Sequence, residues 1–302
     1  MKRDPSALPH ETAPPAAVPR LAARPRDAHK GTFGRLLIIG ASPGLTGAVA
    51  LAAQSALRAG AGLVTCAVPA SANAIIETKC TEPMSLALPE TNDGHLHLDA
   101  LASLEDALQS AAAVVVGPGL GRSAATTEFL QQLLPQLQQP HLVDADGLWH
   151  LAQLRNVLVA GHKQRILTPH EGEWQRLATT ASPTDASSGG TPVAEGDFVT
   201  EVPGVLVRKG PGTRVLARDR CFINSTGNPG LATGGTGDVL AGIIGAFVAR
   251  GDTPWNSAVR GVWVHGRAGD IAANHVGEES LIASDVVAAL PTAMQHVATQ
   301  PE

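Results

Sequence analysis

The sequence predicts an α/β fold in which helices flank a mostly parallel central sheet, and two patterns support this prediction. Short apolar runs of strand length alternate with stretches of helical periodicity, which is the order typical of parallel sheets. Four of these runs end in glycine-rich or polar loops. With 302 residues, of which 44% are hydrophobic, the chain is long enough to form one large core.

The first strand and its loop lie near the start of the pattern. Arg35–Ile39 is an apolar run that predicts a buried strand, and the glycine-rich loop 40–44 follows it. A helix is predicted over residues 46–59 and a second strand over residues 63–68. This order predicts a parallel crossover unit, with its loop at the carboxyl end of a strand, where open α/β sheets bind ligands.

The same pattern recurs three times in the middle of the chain. The predicted strands and the residues that follow them are Ala113–Val116 with the loop 117–121, His141–Val143 with Asp144 and Asp146, and Arg165–Leu167 with Thr168 and His170. Because parallel strands end at the same edge of a sheet, these loops should lie along one rim with the loop 40–44.

The segments that follow depart from this pattern. Residues 179–200 are low in complexity and lack apolar spacing, so we expect a flexible surface insertion there. Residues 205–207 and Arg214–Ala217 predict two strands joined as a hairpin by the turn 209–213. Thr253 and Pro254 are a suitable cap and first residue for a long helix.

A glycine-rich turn formed by Gly234, Gly235, Thr236 and Gly237 leads directly into a helix. The helix is predicted from apolar residues that repeat on one face, and Gly251 follows it where a C-terminal cap belongs. Unpaired N–H groups and the helix dipole favour an anion at such a turn. Asp238 lies at this point, where the dipole should lower the pKa of its carboxyl. It either acts on the ligand or only complements the dipole, and the residues alone leave both interpretations open.

Composition and chain ends limit the other possibilities. Residues 1–18 are rich in Pro and Ala without periodicity and predict a disordered extension, which leaves residues 19–302 as a single domain. A net charge of −5 and a pI of about 6.1 argue against nucleic-acid and anionic-membrane binders. We find no apolar run long enough for a membrane span or a signal peptide and therefore expect a cytoplasmic protein.

Several longer blocks occur together in one order. The most specific is NPGLATGGTGDVLAG at residues 228–242, and others are HKGTFGRLLIIGAS at 29–42, VVVGPGLGRS at 114–123, ILTPHEGEW at 166–174 and VRKGPGT at 207–213. Together they resemble the ADP- or ATP-dependent NAD(P)H-hydrate dehydratases, a branch of the ribokinase-like superfamily. The resemblance covers residues 24–291 and implies a ribokinase-like three-layer sandwich.

The resemblance also implies roles for particular residues. Gly234, Gly235, Thr236 and Gly237 would hold the transferred phosphate, and Asp238 would be the base that acts on the substrate hydroxyl. Contacts with the adenine nucleotide are implied for Lys209, Gly210, Pro211, Gly212, Thr213 and Gly237. Contacts with the hydrated nicotinamide nucleotide are implied for Ala48, Gly119, His170 and Asp238.

The residues by themselves leave alternatives open at several of these places. His170 could be a structural loop histidine, and residues 209–213 could be only a hairpin turn. Asp144 and Asp146 could help to hold Mg²⁺ between nucleotide phosphates or could cap the following helix, and we assign neither as a direct ligand. The chain also departs from the family at Glu171 and at Trp149, where proline and asparagine are common.

The activity implied by the resemblance is repair of the S-epimer of hydrated NADH or NADPH. ADP or ATP, with Mg²⁺, would phosphorylate the hydrate hydroxyl, and loss of phosphate would restore the dihydronicotinamide ring. A homotetramer and a separate epimerase as partner are implied as well. The alternatives are a ribokinase-like small-molecule kinase, such as one acting on a hydroxyethylthiazole-like alcohol, and a catalytically idle nucleotide-binding protein.

Overall fold

The computed structural model describes residues 15–181 and 192–298, which form nine strands and eleven α-helices. The strands are β1 (Arg35–Ile39), β2 (Leu63–Pro69), β3 (Met84–Leu88), β4 (Ala113–Val116), β5 (His141–Val143), β6 (Arg165–Leu167), β7 (Val205–Arg208), β8 (Arg214–Ala217) and β9 (Arg220–Ile223). The helices are α1 (Thr46–Arg58), α2 (Ala70–Lys79), α3 (Ala100–Ser110), α4 (Ala124–Gln136), α5 (Asp146–Leu151), α6 (Arg155–Val159), α7 (Glu171–Ala181), α8 (Glu195–Glu201), α9 (Thr236–Ala249), α10 (Pro254–Val276) and α11 (Ala283–Val297).

All nine strands belong to one sheet, in the order β3-β2-β1-β4-β5-β6-β7-β8-β9. Strands β1 to β7 are parallel, and β8 and β9 are added antiparallel at one edge. The mostly parallel sheet is therefore confirmed, and so is the hairpin of β7 and β8. Strands β3 and β9, at the two edges, had no counterpart in the sequence prediction.

The sheet separates two hydrophobic cores, because successive side chains of a strand point to opposite faces. Leu36 and Ile38 of β1 pack with α1, α9, α10 and α11, whereas Leu37 and Ile39 pack with the helices from α3 to α8. Both faces of the strands are therefore apolar, as is typical of parallel sheets. The result is the helix, sheet and helix sandwich that the sequence predicted.

Helix α9 is the central helix of the first core. Twelve of its 14 residues are buried, because it lies between the sheet and the helices α1 and α10. The prediction of a single apolar face is therefore wrong, and the helix is apolar nearly all round. At its end Gly251 has φ +94° and its N–H donates to Val248 O, while the Asp252 N–H donates to Phe247 O. These two bonds form the glycine cap expected from the sequence.

The loops that follow β1, β4, β5 and β6 meet at one rim of the sheet. The Ala41 N–H donates to Pro118 O at 2.9 Å and the Ser42 Oγ donates to Gly119 O at 2.9 Å, which joins the first two loops. Thr168 joins the last two by donating from Oγ1 to Asp144 Oδ1 at 2.7 Å. The predicted rim is therefore confirmed, and we call it the carboxyl rim.

The segment 179–200 was predicted as an insertion without structure. In the structure α7 continues to Ala181 and α8 begins at Glu195, while residues 182–191 lie outside the described part of the chain. Phe198 of α8 is buried and packs edge-on against Trp174 at 5.0 Å between ring centroids. The prediction is therefore wrong for residues 195–200, which cover the sheet beside α7.

The chain enters the domain through residues 18–24, which we call the N-terminal strap. Residues 1–14 of the predicted extension lie outside the described residues, but Val18 at its end is buried in the first core. Arg260, itself buried, donates to Pro19 O and to Arg20 O, each at 2.8 Å, and pairs with Asp252. The predicted boundary at residue 18 therefore falls inside a packed segment.

The strap lies at the edge of the sheet opposite the carboxyl rim. Arg24 donates to Gly60 O at 3.0 Å, just after the end of α1. The Leu21 N–H donates to Val297 O at 2.8 Å, at the end of α11. Both helices begin at the carboxyl rim and run away from it, so both ends of the described chain meet at the amino edge. No helix in residues 15–181 or 192–298 is both long and apolar enough to cross a membrane.

Candidate active site

The glycine-rich turn starts α9 at the carboxyl rim. Gly235 is the N-cap residue with φ 92°, a left-handed conformation that other residues rarely adopt. The Thr236 Oγ1 donates to Leu231 O and Thr233 O at 2.8 and 3.0 Å, and these hydrogen bonds stabilise the turn. A Cβ atom built on Gly234 would meet nothing within 4 Å. Thr236 and Gly237 line an open cavity, so the start of the helix is accessible to a ligand, as an anion site requires.

Asp238 is the third residue of α9, and its surroundings reverse the pKa shift predicted from the sequence. Burial and the nearby Asp144 carboxylate raise the pKa of Asp238 to about 7, although Lys209 opposes this. The prediction that the helix dipole lowers this pKa is therefore wrong in direction, because burial and the neighbouring acids raise it. A carboxyl with a pKa near 7 is suited to accept a proton from a hydroxyl at neutral pH.

Lys209 and Asp144 form the charged centre of the site. The Lys209 Nζ lies 2.7 Å from Asp144 Oδ1 and 3.7 Å from Glu173 Oε2. Burial opposes the charge of Lys209, but Asp144 and Glu173 raise its pKa, so it stays protonated. A Cβ atom on Gly237 would lie 3.4 Å from this Nζ and 4.0 Å from Asp144 Oδ2. The ion pair therefore lies directly beside the anion turn.

The turn that carries Asp144 and Asp146 is strained. Ala145 between them has φ 50°, a conformation that is uncommon for a residue with a Cβ atom and that recurs at functional sites. Asp146 accepts from the Gly121 N–H at 3.1 Å and pairs with Arg122. Neither aspartate caps α5, whose N-cap residue is Ala145 and carries no side-chain hydrogen bond. The capping interpretation is therefore wrong.

A cavity of about 500 Å³ opens beside the glycine-rich turn. Its walls include all the residues to which the resemblance assigns nucleotide contacts, and they come from the β7–β8 turn and from α9: Lys209, Gly210, Pro211, Gly212, Thr213 and Gly237. The rest of the wall was not predicted from the sequence and is formed by the loop before α9 and by α10: Asn224, Thr226, Asn228, Leu231, Val262 and His265. The hairpin turn is thus both a turn and part of a cavity wall.

His170 is the residue before α7 and caps that helix. Its Nδ1 accepts from the Gly172 N–H at 3.0 Å, and the His170 N–H donates to Glu173 Oε2 at 2.8 Å. Burial and Lys209 lower the pKa of His170, and its side chain is 57% exposed, so a neutral ring is open to a ligand. His170 is therefore structural through Nδ1, and its Nε2 lies 3.3 Å from Glu173 Oε1. Its contact with the substrate stays a prediction.

Glu173 belongs to the site, and the sequence analysis did not assign it a role. Its carboxyl is buried, which raises its pKa to about 7 against the opposing charge of Lys209. His170 and Glu173 bond to each other's backbone N–H groups as in a capping box, but the sequence signal for this was weak, because histidine is not a usual capping residue. Ala48 and Gly119 also lie together: a Cβ atom on Gly119 would lie 3.2 Å from the Ala48 Cβ.

Comparisons with known proteins show which family this chain resembles in sequence and fold. The profile of the NAD(P)H-hydrate dehydratase family matches residues 36–292. The bifunctional NAD(P)H-hydrate repair enzyme Nnr of Moorella thermoacetica is 42% identical over 284 residues, which are 94% of this chain and 53% of that protein. This chain therefore spans about half the length of such relatives.

Two further relatives match over most of both chains. An ADP-dependent (S)-NAD(P)H-hydrate dehydratase of Lactiplantibacillus plantarum is 34% identical over 253 residues, 83% of this chain and 85% of that protein. A crystal structure of a ribokinase-like superfamily protein from Enterococcus faecalis superposes with a TM-score of 0.78 at 28% identity, over 92% of this chain and 93% of the other. Fold and sequence thus agree, and the chain belongs to the NAD(P)H-hydrate dehydratase family.

Proposed function

We propose that this protein dehydrates the S-epimer of hydrated NADH and NADPH, with ADP or ATP as co-substrate. The observation that carries the proposal is the position of Asp238, a half-buried carboxyl with a pKa of about 7 in the first turn of α9, directly after Gly237 of the cavity wall. The family and the ADP-dependent relative support the same reaction.

The first step in this proposal is phosphoryl transfer. Asp238 takes the proton of the hydrate hydroxyl, the oxygen attacks the terminal phosphorus of the nucleotide, and the bond from that phosphorus to the bridging oxygen breaks. The N–H groups at the start of α9 would receive the charge of the transferred group, and Lys209 would neutralise part of it. Positioning and electrostatics supply the catalysis.

The second step is elimination of the new phosphate ester. The lone pair of the ring nitrogen expels phosphate from the neighbouring carbon, and the next carbon loses a proton to the departing phosphate or to water. The ring double bond is thereby restored. The nucleotide leaves with one phosphate fewer, and inorganic phosphate is the other product.

Mg²⁺ fits this site only together with the nucleotide. Within the described residues no group of three or more His, Cys, Asp or Glu side chains is placed to hold a metal. Asp144 directs Oδ2 toward the glycine-rich turn, and a carboxylate is a ligand that Mg²⁺ prefers. Asp144 would therefore share the ion with the nucleotide phosphates, where Mg²⁺ would supply neutralisation of the transferred charge.

The direct test is to incubate the purified protein with the separated epimers of hydrated NADH and NADPH and with ADP or ATP. Recovery of dihydronicotinamide absorbance with the S-epimer, dependent on nucleotide and Mg²⁺, is the expected result. A stable phosphorylated alcohol, formed from a hydroxyethylthiazole-like substrate without recovery from the hydrates, would instead show a small-molecule kinase. No turnover of either substrate would contradict the proposal.

We further propose that the protein acts in the cytoplasm, as a homotetramer, alongside a separate epimerase that supplies the S-epimer. Support for the epimerase comes from the longer relatives, which are bifunctional repair enzymes. Sedimentation equilibrium tests the tetramer. Repair of the R-epimer only after an epimerase is added tests the partnership.

A further inference from the structure

Two arginines lie at the carboxyl rim on the side of His170, and the proposed reaction does not use them. Arg122 follows the glycine-rich loop after β4, and Arg176 lies on α7. The interior of the site beside them is acidic, since it contains Asp144, Asp146, Glu173 and Asp238. Two positively charged side chains thus lie next to four acidic ones, and the proposed reaction gives the two arginines no role.

Arg122 is held in place but remains accessible. Its Nε lies 3.0 Å from Asp146 Oδ1, and its guanidinium lies 5.4 Å from the ring centroid of Trp149. The same Asp146 carboxylate accepts from the Gly121 N–H, so Arg122 is fixed to the loop that carries Gly119. Its side chain is 53% exposed. The ion pair is made through Nε, and the guanidinium is oriented before any ligand arrives.

Arg176 is oriented by the backbone next to His170. Its Nη1 donates to Gly172 O at 3.0 Å, and a Cβ atom on Gly172 would lie 3.1 Å from His170 Cε1. Among the residues that the structure describes, Arg176 forms no ion pair. Arg122 pairs with Asp146 beside Asp144, and Lys209 joins Asp144 to Glu173 next to His170. This chain of contacts places Arg122 and Arg176 on the His170 side of the site, and both arginines lower the pKa of His170, after burial and Lys209.

These cations are separate from the nucleotide cavity. The cavity lies between the β7–β8 turn, the start of α9 and α10, and neither arginine is among its walls. The co-substrate and the hydrated substrate must enter from different directions if Asp238 is to act between them. Arg122 is fixed to the loop of Gly119, which lies beside Ala48, and Arg176 is bonded to the backbone beside His170.

We propose that Arg122 and Arg176 bind the diphosphate of the hydrated dinucleotide. This rests on the function proposed above and deepens it, because it makes the phosphorylated part of the substrate a condition of efficient turnover. Guanidinium groups are suited to phosphate oxygens through paired N–H donors. A neutral alcohol substrate carries no negative charge that two oriented guanidinium groups could bind.

The test compares Arg122→Gln, Arg176→Gln and the double variant with the wild-type protein. Each single change should raise KM for hydrated NADH by about 5- to 20-fold, since a partly exposed charge-assisted hydrogen bond contributes about 1 to 2 kcal/mol. kcat should change by less than about threefold, because the reacting atoms are untouched. The matched control is Arg58→Gln, an exposed arginine in the last turn of α1 at the amino edge.

A second substrate separates diphosphate binding from a structural effect. Hydrated reduced nicotinamide riboside carries the same ring and hydroxyl without any phosphate. The wild-type protein should prefer hydrated NADH over it in kcat/KM, and the double variant should lose most of that preference. The nucleotide-induced rise in melting temperature should be the same in all variants. If Arg122→Gln unfolds the loop, Arg122→Lys, which retains the charge, should still bind with an intermediate KM.

The possible failures are distinct. Absence of hydrate repair in the wild-type protein would overturn the proposed function itself. Repair with an unchanged KM and an unchanged substrate preference in the double variant would overturn only the assignment of the two arginines.

Discussion

Asp238 and Asp285 are each the third residue of a helix, yet they differ in their surroundings. The Asp285 carboxylate accepts from the Ile282 N–H at 2.9 Å and so caps α11. Asp238 lies among buried acids beside Lys209.

If Asp238 is the base, Asp238→Asn should lower hydrate turnover by about two to four orders of magnitude while ADP still binds. Asp285→Asn should change stability by about 0.5 to 2 kcal/mol and leave turnover nearly unchanged. Initial rates and ADP titrations on both variants measure this, and near-normal turnover in folded Asp238→Asn would rule out its catalytic role.

The same carboxyl links folding to pH. Its pKa is about 7 in the folded protein against an ordinary value of 3.8. Between these values the folded state keeps a proton that the unfolded state has released, so stability falls as the pH rises through this range. Because an amide cannot ionise, Asp238→Asn should be more stable than wild type by about 1 to 4 kcal/mol at pH 8. The difference should nearly vanish at pH 4. Urea unfolding at both pH values measures it, and an equal difference at both would contradict the assigned burial.

For single residues, the sequence predicted the positions of the candidate site better than the pKa values of its acids. The positions of the glycine-rich turn, Asp238 and the turn 209–213 follow from local spacing and from the resemblance. The direction of the Asp238 pKa shift does not, since Asp144 and Glu173 are more than 60 residues away in the sequence. Only the folded sheet brings these acids together.

Helix α9 offers a matched pair of glycines at its two ends. Gly235 and Gly251 have φ values of 92° and 94°. A Cβ atom on Gly251 would meet nothing within 4 Å, whereas one on Gly235 would lie 2.6 Å from Leu51 Cδ1 and 3.1 Å from Ala283 Cβ. Gly251→Ala should therefore cost about 1 to 2 kcal/mol from the backbone alone. Gly235→Ala should cost about 1 to 3 kcal/mol more from crowding and should also weaken ADP binding. Equal losses of stability in chemical denaturation would mean that the turn is not packed as described.

The N-terminal strap begins with a packed residue, although the composition of residues 1–18 predicts disorder. Residues 1–18 lack apolar periodicity, but Val18 is 2% exposed in the core. Val18→Ala should therefore destabilise the fold by about 1 to 3 kcal/mol through the cavity that it leaves. The control is Ala17→Ser at the exposed neighbouring position, which should change stability little. Wild-type stability of the Val18→Ala protein would contradict the packing of Val18 in the core.

Periodicity located the central strands because each is buried on both faces and continuous in sequence. It missed β3 and β9 at the edges, where Met84 and Ile223 are exposed and little apolar pattern is needed. It also missed α8, because a helix of seven residues gives too short a pattern and depends on Phe198 packing against Trp174.

For the molecule as a whole, binding to the folded state should appear as thermal stabilisation. ADP with Mg²⁺ at about 100 times its dissociation constant should add about 2.7 kcal/mol and raise the melting temperature by about 4 to 8 °C. Ala232 is exposed and lines the cavity, so Ala232→Trp should fill the cavity and abolish the rise. The exposed Ala70 at the start of α2 provides the control Ala70→Trp. An unchanged rise in Ala232→Trp would place the nucleotide elsewhere.

Leu21 bonds to Val297 at the amino edge, which places the first and last described elements side by side on the face away from Asp238. A resin or a second enzyme linked through Leu21 or Val297 would lie on the face away from the glycine-rich turn and leave the entrance of the site unobstructed. The same closeness means that a short peptide could join the N-terminal strap to the end of α11. Attachments therefore belong at the amino edge, and the candidate active site lies at the carboxyl rim, at the other end of the parallel strands.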